Sequence, residues 1–184
     1  NPPQNWRVEV VRWGVDIDMF RPQNNDDEDS QLAHEKMRSR YGQPDEAALR
    51  GAADTKTPLL LAVGRLAGRK GFRTLLRGMP EILAKNSGAH LVIVGRCHMR
   101  KTLLKQAKNL GIQDSVTIES GMPFSDLAQL FRSADLSIYP SLYEGQGLIP
   151  LESMASGTPC ATVNDGPLPE MVDETVGGLF EVGN

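Results

Sequence analysis

From residue 58 onward the chain repeats one pattern, a short and mostly apolar run, a turn, then a segment of helical period. The runs are Leu59-Leu60-Leu61-Ala62-Val63, Leu91-Val92-Ile93-Val94, Val116-Thr117-Ile118, Leu136-Ser137-Ile138-Tyr139 and Cys160-Ala161-Thr162-Val163. They lack the apolar/polar alternation of a half-exposed strand, so each reads as a strand covered on both faces, the habit of parallel sheets. Among the helical segments, 99–110 places Met99, Leu103, Leu104, Ala107 and Leu110 on one side, with Arg100, Lys101, Lys105 and Lys108 on the other. Gly111 supplies its stop. Ser125 followed by Asp126 predicts the N-cap of a helix running to about Ser133. Strands alternating with helices predict an α/β fold, a Rossmann-like, doubly wound parallel sheet with right-handed crossovers. Ligands of such sheets sit beyond the carboxyl ends of the strands. That rule selects the loops 64–71, 95–99, 119–125, 140–148 and 164–169.

Residues 1–57 follow a different pattern. Val8-Glu9-Val10-Val11 predicts a first strand, leading into Gly14-Val15-Asp16-Ile17-Asp18. Asp26-Asp27-Glu28-Asp29 reads as a solvated acidic loop. Ser30 after it is the predicted N-cap of a helix reaching Tyr41, with Gly42 beyond, and 43–57 reads as a loop. The expectation is one domain over 1–184, with the first strand, acidic loop and helix in 1–57 and the repeated β/α units in 58–184.

Composition narrows the function classes. Of 184 residues, 40% are apolar, enough for a real core, and no stretch approaches the length of a membrane span. The net charge of −3 gives no global attraction for nucleic acid. The two cysteines, Cys97 and Cys160, form no disulfide framework and suit neither zinc nor thioredoxin-type chemistry, so a reducing, cytoplasmic setting is expected. His34, His90 and His98 stand at no metal-ligand spacing, and no Gly-x-Ser-x-Gly elbow occurs. Charge is unevenly spread, however: residues 55–113 hold twelve Lys or Arg and one acid, Glu81. A basic middle third in an acidic chain points to an anionic ligand or surface, or else to solvated helix faces.

Two of the selected loops carry candidate chemistry. Gly64-Arg65-Leu66-Ala67-Gly68-Arg69-Lys70-Gly71 follows the strongest strand and precedes a helix. Its glycine spacing is neither that of the dinucleotide fingerprint nor that of the P-loop. Its physics is still that of a phosphate site, with glycines admitting close backbone approach, a helix N-terminus, and Arg65, Arg69 and Lys70 for charge. A flexible basic turn is the alternative. In Tyr143-Glu144-Gly145-Gln146-Gly147-Leu148-Ile149-Pro150-Leu151-Glu152, the glycines mark a tight turn and Leu148 starts a helix. Glu144 from the loop and Glu152 one turn into the helix would then face one cleft and accept hydrogen bonds from sugar hydroxyls. A helix-capping acid plus a surface acid fits the residues equally well.

These two segments, with Ser153-Met154-Ala155-Ser156-Gly157-Thr158-Pro159 after them, resemble the retaining glycosyltransferases of family 4. The likeness is to the C-terminal, nucleotide-sugar-binding half of their GT-B fold. It extends to Gly14-Val15-Asp16 with Phe20 and Pro22, Val94-Gly95, Pro169-Glu170 and Gly177-Gly178-Leu179, from about Val8 to Gly183. The resemblance implies a donor site of Gly64, Arg65, Lys70, Gly95, Arg96, Met122, Glu144, Gly145, Gln146, Gly147, Leu148 and Glu152. In it Arg65 and Lys70 hold the diphosphate and neutralise the leaving nucleotide, Glu152 accepts the ribose hydroxyls and Glu144 contacts the donor sugar. Arg65, Lys70 and Glu144 are the catalytic candidates. Gly95-Arg96-Cys97 and Glu119-Ser120-Gly121-Met122 would border the nucleobase. Transfer would retain configuration, with a UDP-, GDP- or ADP-sugar as donor and no metal or further cofactor.

Several positions depart from the family pattern. Gln146 stands where an aromatic is common, Arg69 where an acid is frequent, and Cys97 where a glycine is expected. Asn164-Asp165-Gly166-Pro167-Leu168 has one glycine where the family usually shows two, and Trp13 takes the usual place of Asn before Gly14. The chain opens at Asn1-Pro2-Pro3-Gln4-Asn5, with neither an initiator Met nor a signal-peptide layout, and closes at Phe180-Glu181-Val182-Gly183-Asn184. The expectation is an excised C-terminal domain whose N-terminal acceptor domain is absent. The rival readings are a GT-B epimerase or hydrolase of nucleotide sugars, and a non-catalytic nucleotide-binding module. Basic helix 99–110 offers a further alternative, peripheral contact with anionic lipid at the inner face of a membrane.

Overall fold

The apolar runs lie side by side as parallel strands in a computed structural model that describes residues 7, 9, 11–41, 57–96 and 98–183. β1 (Leu59–Val63) is central. β2 (His90–Val94) and β3 (Val116–Glu119) lie to one side, and β4 (Leu136–Tyr139), β5 (Cys160–Val163) and β6 (Gly177–Phe180) to the other. The order is β3-β2-β1-β4-β5-β6 and every neighbouring pair is parallel. All five selected loops therefore emerge along one edge of the sheet. The winding reverses between β1 and β4, which makes the gap between the loops after these two strands the switch point of the fold.

Period-two alternation sends successive strand residues to opposite faces, and both faces are covered. Leu60, Ala62, Leu91 and Ile93 pack with Phe72, Leu75, Leu76 and Met79 of α2 (Phe72–Lys85) and with Leu103 and Ala107 of α3 (Arg100–Asn109). Leu59, Leu61, Val63, Val92 and Val94 pack with Leu127, Ala128, Leu130 and Phe131 of α4 (Phe124–Ser133). Tyr41 of α1 (Glu28–Tyr41) and Phe20 close that layer, Phe20 meeting Phe131 edge-on at 6.0 Å. Burying each such Leu or Phe contributes about 1.5–3 kcal/mol. A smaller cluster of Tyr139, Cys160 and Val172 takes Ile149 and Met154 from α5 (Leu148–Ala155). Polar ties fasten α1 to the sheet: Arg38 donates to Asp135 at 2.6 Å and to the Ser133 and Thr57 carbonyls at 3.0 and 2.7 Å.

Several expectations shift. Helix α1 begins at Glu28, so Ser30 lies inside it rather than capping it; Glu28 and Asp29 occupy the first turn, where acids suit the helix dipole. Helix α4 begins at Phe124 behind Pro123, which puts Ser125 in the first turn. On α3 only Leu103 and Ala107 are buried, while Leu104 and Leu110 are each 36% exposed. The apolar stripe is narrower than its periodicity suggests, because a ten-residue helix near the sheet edge has little to cover it. Gly111 ends α3 as expected, at φ +69°. Strand β6 forms at Gly177–Phe180, where the sequence shows no strand signal. Of the strand expected at 8–11, Val8 and Val10 lie outside the described residues and Glu9 and Val11 are in no strand. Gly42, residues 43–56 of the expected loop, and Cys97 also lie outside the described residues.

Candidate functional site

The loops after β1, β2 and β4 are sewn together by backbone bonds. The Gly64 N–H donates to the Val94 carbonyl at 3.0 Å, and the Leu66 N–H to the Arg96 carbonyl at 2.8 Å. Leu66 is fully buried, so the segment 64–71 is anchored rather than slack. A Cβ on Gly95 would lie 1.9 Å from the Gly64 oxygen, an approach only glycine permits. A single helical turn, Gly68–Lys70, then aims Lys70 inward, and Gly71 follows at φ +70° as the N-cap of α2. A Cβ there would lie 1.7 Å from the Pro140 oxygen. From the other side the Leu142 N–H donates to the Arg69 carbonyl at 2.8 Å, and the Arg69 guanidinium donates to the Tyr143 carbonyl at 3.2 Å. The switch point is thus bridged. Arg69, which the sequence offers as charge for a phosphate, is exposed, and its guanidinium also ties the two loops together.

Lys70 and Glu144 meet at this bridge. Their side chains are only 10% and 13% exposed, and the Lys70 ammonium donates to Glu144 Oε1. The same oxygen accepts the Ser141 hydroxyl at 2.7 Å. A buried charge pair of this kind requires both partners, since either alone would carry its desolvation cost uncompensated. The pair opens onto a cavity of about 410 Å³ lined by Trp13, Lys70, Glu144, Gly145, Gln146, Gly147, Leu148 and Ile149. Helix α5 starts at Leu148 as expected, behind Gly147 at φ +86°. The Gly147 turn is pressed between Leu168 and Met171, which a Cβ would meet at 2.7 and 2.9 Å.

The structure thus brings together Lys70, Glu144, Gly145, Gln146, Gly147 and Leu148, with Gly64 beneath the Lys70 stem and Gly95 beneath Gly64. Arg65 stands exposed at the start of the same loop. Arg96 lies against Gly121, whose Cβ would come within 2.9 Å of its Nε. Met122 is half-buried against the α1/α4 side of the core. Glu119 is turned toward α1, accepting the Tyr41 hydroxyl at 3.0 Å and Arg40 at 3.2 Å; burial, then Glu119, push the Tyr41 phenol up to about 12. Glu152 does not line the cavity that holds Glu144. It is half-buried on α5, and that burial pushes its carboxyl up to about 7. Among the described residues no group of three or more His, Cys, Asp or Glu is placed to share a metal ion, and no helix is long and apolar enough to cross a membrane.

Two site residues escaped the sequence reading. Ser141 carries no motif of its own, and only its contact with Glu144 identifies it. Trp13 stood out as a departure from the family pattern, with no site attached. Its backbone N–H donates to the Gln146 side-chain oxygen at 3.1 Å, and the Gln146 amide donates back to the Trp13 carbonyl at 2.6 Å. The two departures are therefore partners.

Known proteins resemble this chain in sequence and in fold. The profile of the family described as glycosyl transferases group 1 matches residues 45–184. The D-inositol 3-phosphate glycosyltransferase of Segniliparus rotundus is 31% identical over 180 residues, 95% of this chain and 35% of that protein. The GDP-mannose-dependent alpha-(1-6)-phosphatidylinositol monomannoside mannosyltransferase of Mycobacterium tuberculosis is 32% identical over 183 residues, 96% of this chain and 43% of that protein. The crystal structure of Anabaena Alr3699/HepE in complex with UDP and glucose shares the fold, with a TM-score of 0.74 at 22% identity over 96% of this chain and 44% of that one. The chain spans roughly a third to two-fifths of the length of these curated relatives (35% and 43%).

Proposed function

We propose, on the premise that this chain belongs to the glycosyl transferases group 1 family, that it is the donor-binding half of a retaining GT-B enzyme of family 4. The enzyme moves a hexose from a UDP-, GDP- or ADP-sugar to an acceptor held by an N-terminal domain. The observation that carries this reading is the buried Lys70–Glu144 pair at the switch point, where a doubly wound sheet receives its ligand. A curated relative named for its dependence on GDP-mannose supports the donor class.

In this reading the positive edge of the site serves the phosphates. Arg65 stands exposed for the diphosphate, and Lys70 turns from Glu144 toward the phosphate oxygens as the donor enters. Their two charges, with the N-terminal N–H groups of α5, stabilise the negative charge that grows on the departing nucleotide. This task falls to side chains rather than to a metal. Ser141 keeps Glu144 in place when Lys70 shifts, so that its carboxylate accepts from a hydroxyl of the donor sugar. Glu152, one turn into α5, takes the ribose hydroxyls. The attacking hydroxyl is that of the acceptor held by the other domain, and positioning donor against acceptor supplies ~7–11 kcal/mol of the barrier reduction.

Calorimetry tests the assignment. Arg65→Ala and Lys70→Ala should each weaken binding of the nucleoside diphosphate by about 1.5–3 kcal/mol, the scale for hydrogen bonds to charged groups. Binding of the nucleoside should barely change, and Lys105→Ala on exposed α3 should change neither. Equal losses for nucleoside and diphosphate would overturn the placement of the phosphates. Sugar transfer should be absent from residues 1–184 alone and appear when the N-terminal half is supplied; transfer by the chain alone would refute the division of labour.

A further inference from the structure

Trp13 presents an apolar surface that the fold does not use. It is 72% exposed, yet it lines the cavity onto which the Lys70–Glu144 pair opens. An exposed indole on an ordinary loop is a mobile side chain. Here the backbone carrying it is fastened in two places. The Gln146 side chain binds both the N–H and the C=O of Trp13, as a neighbouring strand would. One residue earlier, Arg12 forms an ion pair with Glu170 on the turn that follows β5. The Gly147 turn, next to Gln146, is itself wedged against Leu168 and Met171. The segment bearing Trp13 is thereby held to the site from 133 residues away in sequence.

We propose that Trp13 is a specificity-determining residue: its indole forms the apolar wall against which the donor hexose lies, while Glu144 takes the sugar's hydroxyls. The inference rests on the donor-binding reading above and deepens it. The chemistry is that of a pyranose, which has a C–H face for an aromatic surface and a rim of hydroxyls for a carboxylate. A cavity of about 410 Å³ whose lining holds both an aromatic residue, Trp13, and the Lys70–Glu144 pair has the makeup of a small-ligand site. An aromatic wall held by its backbone also keeps its place before the ligand arrives, so little ordering is required on binding. Gln146 fixes where the Trp13 backbone stands, and its amide is consumed in doing so.

The test uses Trp13 as its own reporter. The chain has two tryptophans, so Trp6→Phe leaves Trp13 as the single emitter. Titration with UDP, GDP or ADP should change its emission little, and the matching nucleotide sugar should change it clearly. Calorimetry should then show Trp13→Ala weakening the nucleotide sugar by roughly tenfold and the bare diphosphate by less than about twofold. Trp13→Phe, which keeps an aromatic face, should restore most of that loss. Gln146→Ala, which frees the backbone without touching the indole, should give a smaller loss again confined to the nucleotide sugar. Equal weakening of nucleotide sugar and diphosphate by Trp13→Ala, or weakening of neither, overturns the inference and leaves the donor site standing. Absence of any diphosphate binding by the parent chain overturns both.

Discussion

Removal of the Lys70 ammonium, as Lys70→Met, tests the arrangement on which the site is built. With side-chain exposures of 10% and 13%, neither charge of the Lys70–Glu144 pair is well hydrated in the fold. Two unit charges at about 4 Å attract by roughly 4 kcal/mol at an effective dielectric of ~20, and both pay desolvation to be there. Breaking a buried pair by removing one partner costs ~3–5 kcal/mol, because the other charge is stranded. Here the Ser141 hydroxyl still donates to Glu144 at 2.7 Å, which softens the loss. A net destabilisation of about 2–3 kcal/mol follows, or a drop in Tm of roughly 4–12 °C for a chain of this size. Glu144→Gln should cost less, about 1–2 kcal/mol, since the amide oxygen still accepts from both Ser141 and Lys70. Urea unfolding at pH 7 of the parent, both single variants and Lys70→Met/Glu144→Gln completes a double-mutant cycle. The double variant should be more stable than the sum of the single losses by more than about 1 kcal/mol. Strict additivity would mean that the pair does not exist in solution, and the account of the switch point would fail with it.

Two further outcomes are expected. Gly95→Ala should destabilise the chain by about 3 kcal/mol or more, since its Cβ must displace the Gly64 backbone oxygen 1.9 Å away; Gly78→Ala on α2, where a Cβ meets nothing within 4 Å, should be neutral or slightly stabilising, and equal effects in thermal unfolding would show that β1 and β2 do not approach as described. Glu152 titrates at about 7 in the fold against 4.5 for the free carboxyl, so the folded state holds the proton more tightly; its stabilising contribution is full below about pH 4.5 and lost as pH rises through 7. After allowance for solvent screening of a half-buried group, the parent should lose about 1–2 kcal/mol relative to Glu152→Gln between pH 4.5 and 8 in urea unfolding, and a constant gap would refute the burial.

Much of the fold is legible in the sequence. β1 and β2 announce themselves because a strand covered on both faces is buried at every position, not at every second one, while β3 to β5 show as shorter, mostly apolar runs that also hold Thr117, Ser137 and Thr162. Their order of appearance with helices between them then restricts the sheet to a doubly wound form, and the rule for ligand placement selects the loops. Helix starts were less legible: at Ser30 and Ser125 a good capping residue lay inside the helix, because acids at Glu28 and Asp29 and the fixed φ of Pro123 favoured an earlier beginning. β6 was invisible for another reason. Gly177-Gly178-Leu179-Phe180 has little intrinsic strand preference, and it is a strand because β5 offers it backbone partners. A Cβ at Gly177 would lie 1.9 Å from the Cys160 oxygen, so the glycine that weakens the local signal is what allows the pairing.

The site divides along the same line. The sequence by itself determined which residues carry charge, which turns require glycine, and that Arg65, Lys70, Glu144 and Glu152 belong to loops or a helix at one edge of the sheet. Those are local properties, set by composition, spacing and the period of each element. Only the tertiary structure decided that Lys70 meets Glu144 across 74 residues, that Arg69 ties two loops together, that Glu152 is not among the residues lining the Glu144 cavity, and that Gln146 holds Trp13 across 133 residues. Such contacts depend on which strands become neighbours and how closely their loops approach. Those are set by the packing of the two faces of the sheet, a collective outcome that no short stretch of the chain encodes.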